Sequence, residues 1–196
     1  MKIELLHITE NAESLIEQAG RTCYKSEKGN TSIIKRWVES GHESVIEHAS
    51  ATFRISGISR ALTHQLVRHR IGFSYSQESQ RYVNAENFDY VMPDMPESMR
   101  KAEAIAMKVD FFIVMNVIKN LYTKLIAQGI PKEDARYILP NAVTTEIVVT
   151  ANFRALRNFF KLRCDKKAQW EIRELANEML KICKTKVKYV FDDMGV

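Results

Sequence analysis

The sequence predicts an α+β fold: a single domain over residues 1–196 with a central, mostly antiparallel sheet flanked by helices, one of them long. Three observations lead there. Short runs with strand-like alternation are gathered between helical segments, without the repeated strand-helix-strand rhythm of a doubly wound sheet. The helical pattern across residues 96–128 outruns the roughly 20 residues of an ordinary globular helix. A chain of 196 residues, 45% hydrophobic and 27% charged, can bury one proper core.

Taken in order, residues 14–19 and 32–39 have helical apolar spacing (Leu15 and Ile16, then Ile33, Ile34, Trp37 and Val38). Gly20 and Gly41 follow them where helix ends favour glycine, so two short helices open the chain. Residues 51–58 alternate as a half-buried strand, after which Ser59 can cap a helix running to about Arg70, with Leu62, Leu66 and His69 on one side. The alternation resumes after Gly72, placing Tyr75, Gln77, Ser79 and Arg81 on one face of a strand. Residues 84–96, interrupted by Pro93 and Pro96, form an excursion. The long helix of residues 96–128 carries Ala102, Ile105, Val109, Phe112, Met115, Ile118 and Leu121 and is expected to be the core helix, closed by Gly129. Pro131 starts a short helix that Pro140 stops. Residues 143–150 have the branched content of a strand, and residues 153–162 and 168–190 read as helices.

Composition narrows the function. The 29 Lys and Arg against 24 Asp and Glu leave a formal charge of +5, which favours anionic partners. Cys23, Cys164 and Cys183 have no CxxC spacing, so neither a disulfide framework nor a zinc site is indicated, and a reducing, cytoplasmic setting fits. The N-terminus does not read as a signal peptide, and no run of about 18 apolar residues predicts a membrane span. GxGxxG and GxxxxGK[ST] are both absent, so neither phosphate cradle is supported.

The densest chemistry lies in residues 68–82, RHRIGFSYSQESQRY, with three arginines, a histidine, five hydroxyls and two glutamines. Guanidinium forks and hydroxyls are the groups that hold phosphates and carboxylates. Ser79 lacks a GxSxG elbow and reads as a hydrogen-bonding group, and Cys164 reads as a packing residue at a helix end. His42 and His48 in GHESVIEH are six apart, which does not bring them to one helix face, so no metal is expected. His48 reads as bonding a backbone carbonyl in the core, and His42 as the functional one of the pair. A second basic cluster holds Arg154, Arg157, Lys161 and Arg163 with Asn152 and Asn158, and Arg136 stands alone on a short apolar helix.

These motifs resemble the flavin-dependent thymidylate synthases, whose signature is RHR, seven or eight residues, then Ser: here Arg68, His69 and Arg70, eight residues, and Ser79. The likeness extends through GHESVIEH, THQLVRHR, ARYILP, NFRALRNFFKLR and AQWEIRELA. It implies reductive methylation of dUMP to dTMP by a homotetramer using FAD, with NADPH as reductant and methylenetetrahydrofolate as carbon donor. By motif matching, His42, Ser44, Arg68, His69, Arg70, Gln77, Asn152, Phe153, Arg154 and Asn158 are similar to flavin-site residues. Gln65, Leu66, Val67, Arg68, Gln77, Glu78, Ser79, Gln80, Arg81, Arg136 and Arg163 are similar to dUMP contacts, with Arg163 resembling the catalytic arginine that promotes ionisation at the pyrimidine N3. Neither nucleic acid nor membrane is an expected partner. The rival reading is a single-stranded nucleic-acid-binding protein, because arginines interleave with Phe73, Tyr75, Tyr82 and Phe153; against it, the basic residues lie in three separated clusters and not in one stripe.

Overall fold

The structure is a computed structural model that describes residues 1–27 and 29–195. It has the expected α+β class. Four strands form a sheet in the order β1 (Lys2–Ile8), β2 (Ser50–Ser59), β4 (Thr144–Asn152), β3 (Phe73–Gln77). The register of β2 with β4 is antiparallel: the hydroxyls of Thr52 and Thr150 meet at 2.9 Å, while Ala49 accepts the N–H of Phe153. The same holds for β3 with β4, where Gly72 accepts from Asn152 and Glu146 accepts from Glu78. Strand β4 buries Thr145, Ile147, Val149 and Ala151 in strict alternation, the period that its branched sequence predicts.

The chain divides into two compact units, residues 1–55, 64–76 and 147–196 in the first and residues 56–63 and 77–146 in the second. In the first unit, α1 (Ala12–Tyr24), α2 (Ile33–Glu39) and a 3-10 turn (Glu43–His48) precede β2, and α6 (Phe153–Arg163) and α7 (Trp170–Lys186) follow β4. Phe153 and Phe160 each pack edge-on against Phe191, at 5.4 and 5.8 Å between centroids, and Ile16, Ile34, Ile46, Ile172, Leu175 and Met179 are fully buried.

Strand β1 has no counterpart among the elements that the sequence predicts. It is half-buried at the sheet edge, where polar residues are tolerated and the signal is weak. Gly20 does not end α1, which runs on to a left-handed Lys25 (φ 47°) whose N–H bonds the carbonyls of Arg21 and Thr22. A Cβ on Gly20 would stand 2.4 Å from the Trp37 ring, so glycine serves close packing there. Gly41 does follow α2 as expected, with φ +78°, and the N–H groups of Gly41 and His42 return to Val38 and Trp37.

The second unit holds the start of α3 (Arg60–Leu66, of which residues 64–66 belong to the first unit), where Ser59 Oγ accepts the Leu62 N–H at 3.0 Å, as the capping reading required. The helix stops at Leu66, not near Arg70. The unit also contains α4 (Lys101–Ala127) and α5 (Lys132–Ala135), with Pro131 immediately before α5. Phe88, Met115 and Val143 pack with Tyr90, Phe111, Ile118 and Leu139 to make its core. The expectation that α4 is the core helix needs correction. Met115 and Tyr122 are buried, but Ile105, Phe112 and Val117 are 64%, 56% and 59% exposed. Apolar residues ring this helix on more faces than its own unit covers. Among the described residues, no helix is long and apolar enough to cross a membrane.

Candidate active site

Helix α6 organises the site of the first unit. Asn152, at its N-cap, accepts the Ala155 N–H at 2.8 Å through its side chain, and its backbone N–H bonds the Gly72 carbonyl at 3.1 Å. That second bond docks the loop of Arg68, His69 and Arg70 against α6. The loop needs a left-handed glycine here, since Gly72 has φ +73° and a Cβ would lie 2.7 Å from Asn152 Nδ2 and 2.8 Å from Ala155 Cβ.

At the opposite end of α6, its last residue Arg163 donates from Nε to His69 Nε2 at 3.0 Å. A nitrogen that accepts from guanidinium carries no proton, so His69 is neutral with its hydrogen on Nδ1. Burial, and then the charge of Arg163, push its pKa below 6.5. Phe159 meets the imidazole edge-on at 5.1 Å and Phe73 lies at 5.9 Å. The Tyr75 hydroxyl points at the carbonyls of His69 (2.7 Å) and Leu66 (2.8 Å), which share its single proton. Arg68 and Arg70 are exposed on either side of His69.

Arg154, also on α6, is held by Glu47 at 2.5 Å and Glu43 at 3.5 Å. With His42, Ser44, Cys23 and Trp37 it lines a cavity of about 350 Å³. Of the residues read as flavin contacts, His42, Ser44, Arg68, His69, Arg70, Arg154 and Asn158 belong to the first unit and Gln77 to the second. Their exposed guanidiniums, amide and hydroxyl fit the phosphates of a dinucleotide. Two residues of the same reading fit less well: the Phe153 ring is fully buried and its N–H is committed to Ala49, and the Asn152 amide oxygen is spent on the helix cap. His48 is exposed, not a core residue, because the 3-10 turn rotates Ile46 inward in its place.

The residues read as dUMP contacts are distributed over both units. Gln65, Leu66, Val67, Arg68 and Arg163 lie in the first, Gln77 to Arg81 and Arg136 in the second. Leu66 is buried, which leaves only its backbone for any ligand, and its carbonyl already accepts from Tyr75. Strand β3 ends at Gln77, so Ser79 and Arg81 do not share a strand face. They form a turn: the Ser79 carbonyl accepts from Tyr82 and Val83, and Ser79 Oγ accepts the Arg81 N–H at 3.3 Å. Gln77 Nε2 donates to Thr63 and Thr145 at 3.0 and 3.4 Å. Arg81 and Arg136 both reach Glu133, the first at its carboxylate (3.1 Å) and the second at its carbonyl (3.0 Å).

Arg60 went unread in the sequence, yet it braces this turn, donating to the Glu78 carbonyl at 3.1 Å and to Gln80 Oε1 at 3.3 Å. A signal existed: an arginine directly after a helix cap opposes the helix dipole and needs another reason to be there. A second cavity of about 480 Å³ adjoins the turn, lined by Glu78, Glu86, Asp89 and Glu146 among others, a lining that disfavours phosphate. Of the cysteines, Cys183 is pushed up to about 12 and Cys164 is raised, both by burial, so neither is a ready thiolate.

Fold and site together define an α+β protein with arginines exposed around a loop docked on α6 and a neutral histidine set against one of them. Residues 4–187 match the family described as thymidylate synthase complementing protein, and the chain belongs to that family. It is similar to proteins named flavin-dependent thymidylate synthase from Geobacter sulfurreducens (45% identical, covering all of this chain and 87% of the relative) and Clostridium tetani (41%, covering all and 87%). A protein of the same name from Pyrococcus furiosus is 51% identical over 71% of this chain and 57% of its own length.

Proposed function

We propose that this chain is a flavin-dependent thymidylate synthase, converting dUMP to dTMP with FAD, NADPH and methylenetetrahydrofolate, as a cytoplasmic homotetramer of a single domain of residues 1–196. The observation that carries the reading is the docking of the Arg68 to Arg70 loop along α6, with Gly72 bonded at its N-cap and His69 meeting Arg163 at its C-terminal end, in a chain whose relatives bear that name. The exposed apolar residues of α4 agree with self-association.

FAD, when bound, supplies reducing equivalents. The residues do the rest. Arg68, Arg70 and Arg154, with Ser44, His42 and Asn158, bind it through its anionic and polar groups. Arg81, Arg136 and the turn of Gln77, Glu78, Ser79 and Gln80 bind dUMP, while Gln65, Leu66 and Val67 contribute backbone and amide contacts. Arg163 stabilises negative charge on the pyrimidine, because a fixed guanidinium in a partly dry site opposes little competing water.

The test is thymidylate formation with FAD, dUMP, NADPH and methylenetetrahydrofolate omitted in turn, activity being expected only with all four. Arg163→Ala is expected to keep FAD and lose about 10²–10³-fold in turnover. Normal turnover by that variant removes Arg163 from the catalytic role. A colourless protein that ignores FAD and dUMP but binds oligonucleotides with a steep salt dependence refutes the enzyme reading.

A further inference from the structure

We infer that His69 is a positioning residue for Arg163: its neutral imidazole fixes the guanidinium by accepting at Nε, leaving Nη1 and Nη2 as a free fork for a planar substrate group with two adjacent acceptors. This rests on the proposed activity only in its kinetic arm. Among the described residues, the bond to His69 is the one hydrogen bond or ion pair engaging the Arg163 side chain. An arginine has five N–H donors in a rigid plane, so holding Nε sets the direction of the other two nitrogens.

His69 can serve because it is itself held. Its backbone N–H donates to the Leu66 carbonyl, its own carbonyl accepts the Tyr75 hydroxyl at 2.7 Å, and Phe159 and Phe73 flank the ring. The groups facing the imidazole are neutral or cationic: Arg163 and Phe159 from α6 and Phe73 from β3, with Arg68 and Arg70 adjacent in the loop. No carboxylate appears among these contacts to favour the imidazolium. Burial and Arg163 lower the His69 pKa, which keeps the accepting form dominant at neutral pH. Protonation at lower pH fills Nε2 with hydrogen and sets two cations together, so the clamp opens as pH falls through the folded pKa.

The experiment compares wild type, His69→Gln, which keeps an acceptor near the Nε2 position, and His69→Leu, which has none. Nitrogen-15 NMR of the wild-type imidazole is expected to report the Nδ1–H tautomer and a pKa under 6.5. With FAD bound, His69→Leu is expected to lose about ten- to a hundredfold in kcat, the loss of a hydrogen bond to a charged group, with dUMP KM changed less than about threefold. His69→Gln is expected to recover most of that kcat and to lack the acid limb of the wild-type pH profile. An Nε2–H tautomer, a pKa at or above 6.5, wild-type kcat in His69→Leu, or an acid limb persisting in His69→Gln overturns the inference. If His69→Leu does not fold, the tautomer and the glutamine profile decide it. If wild type makes no thymidylate, the proposed function fails while the NMR arm still tests the clamp.

Discussion

Gly72→Ala perturbs the joint that holds the arginine loop to α6. The residue has φ +73°, and an L side chain in that left-handed region costs about 1–2 kcal/mol. The added methyl would also stand 2.7 Å from Asn152 Nδ2 and 2.8 Å from Ala155 Cβ. Asn152 cannot swing away without giving up its cap bond to the Ala155 N–H, and Ala155 Cβ is fixed to the helix backbone. Relief by backbone movement costs about 1–3 kcal/mol more, for a total of about 2–5 kcal/mol. Gly41→Ala is the internal control, since Gly41 has φ +78° but nothing within 4 Å of the new methyl. Only the first cost, about 1–2 kcal/mol, applies there.

Thermal unfolding at one fixed protein concentration reads the difference. At about 2–4 °C per kcal/mol for a chain of this size, Gly72→Ala is expected to melt about 4–20 °C lower and Gly41→Ala about 2–8 °C lower. A loosened loop also carries Arg68 and Arg70 with it, so FAD affinity is expected to fall in Gly72→Ala more than in Gly41→Ala. Equal melting shifts in the two variants, or a Gly72→Ala protein as stable as wild type, would refute the argument that close approach to α6 holds the loop.

Other consequences are open to measurement. Arg157 grips Asp193 with two bonds of 2.6 and 2.7 Å, and that hydrogen bonding, with the attendant charge, holds the Asp193 pKa below its ordinary 3.8. A depressed folded pKa gives stability that is present above 3.8 and lost as pH falls through the lower folded value. Asp193→Asn is therefore expected to be less stable than wild type in urea at neutral pH, with the gap closing under strongly acid conditions; a constant gap contradicts it. At pH 8 a thiol reagent is expected to find the exposed Cys23 quickly, Cys164 slowly, and the buried Cys183, pushed up to about 12, only on unfolding. Rapid loss of all three thiols in the native protein counts against the burial argument. Arg60→Met removes the brace on Glu78 and Gln80 and is expected to raise the dUMP KM by about tenfold, a value close to one charged hydrogen bond, without changing FAD binding. An unchanged KM places the brace outside substrate binding.

Local signals were legible in the chain wherever neighbours in sequence are neighbours in space. The cap at Ser59, the left-handed stop at Gly41 and the alternation of β4 each depend on a few adjacent residues, and each stands in the structure where it was read. The ordered motifs likewise carried the family, because a family match is a property of sequence order. Gly20 misled because the same residue type serves a helix end and a close contact, and only the Trp37 ring lying over it distinguishes the two. The apolar pattern of α4 announced a helix without saying how much of it its own unit would cover. The pairing of Arg163 with His69 spans 94 residues, and that of Arg81 with Glu133 spans 52. Periodicity has no reach over such distances. Folding brings these groups together, and their mutual fields and desolvation then set which nitrogen of His69 holds a proton and which nitrogens of Arg163 stay free.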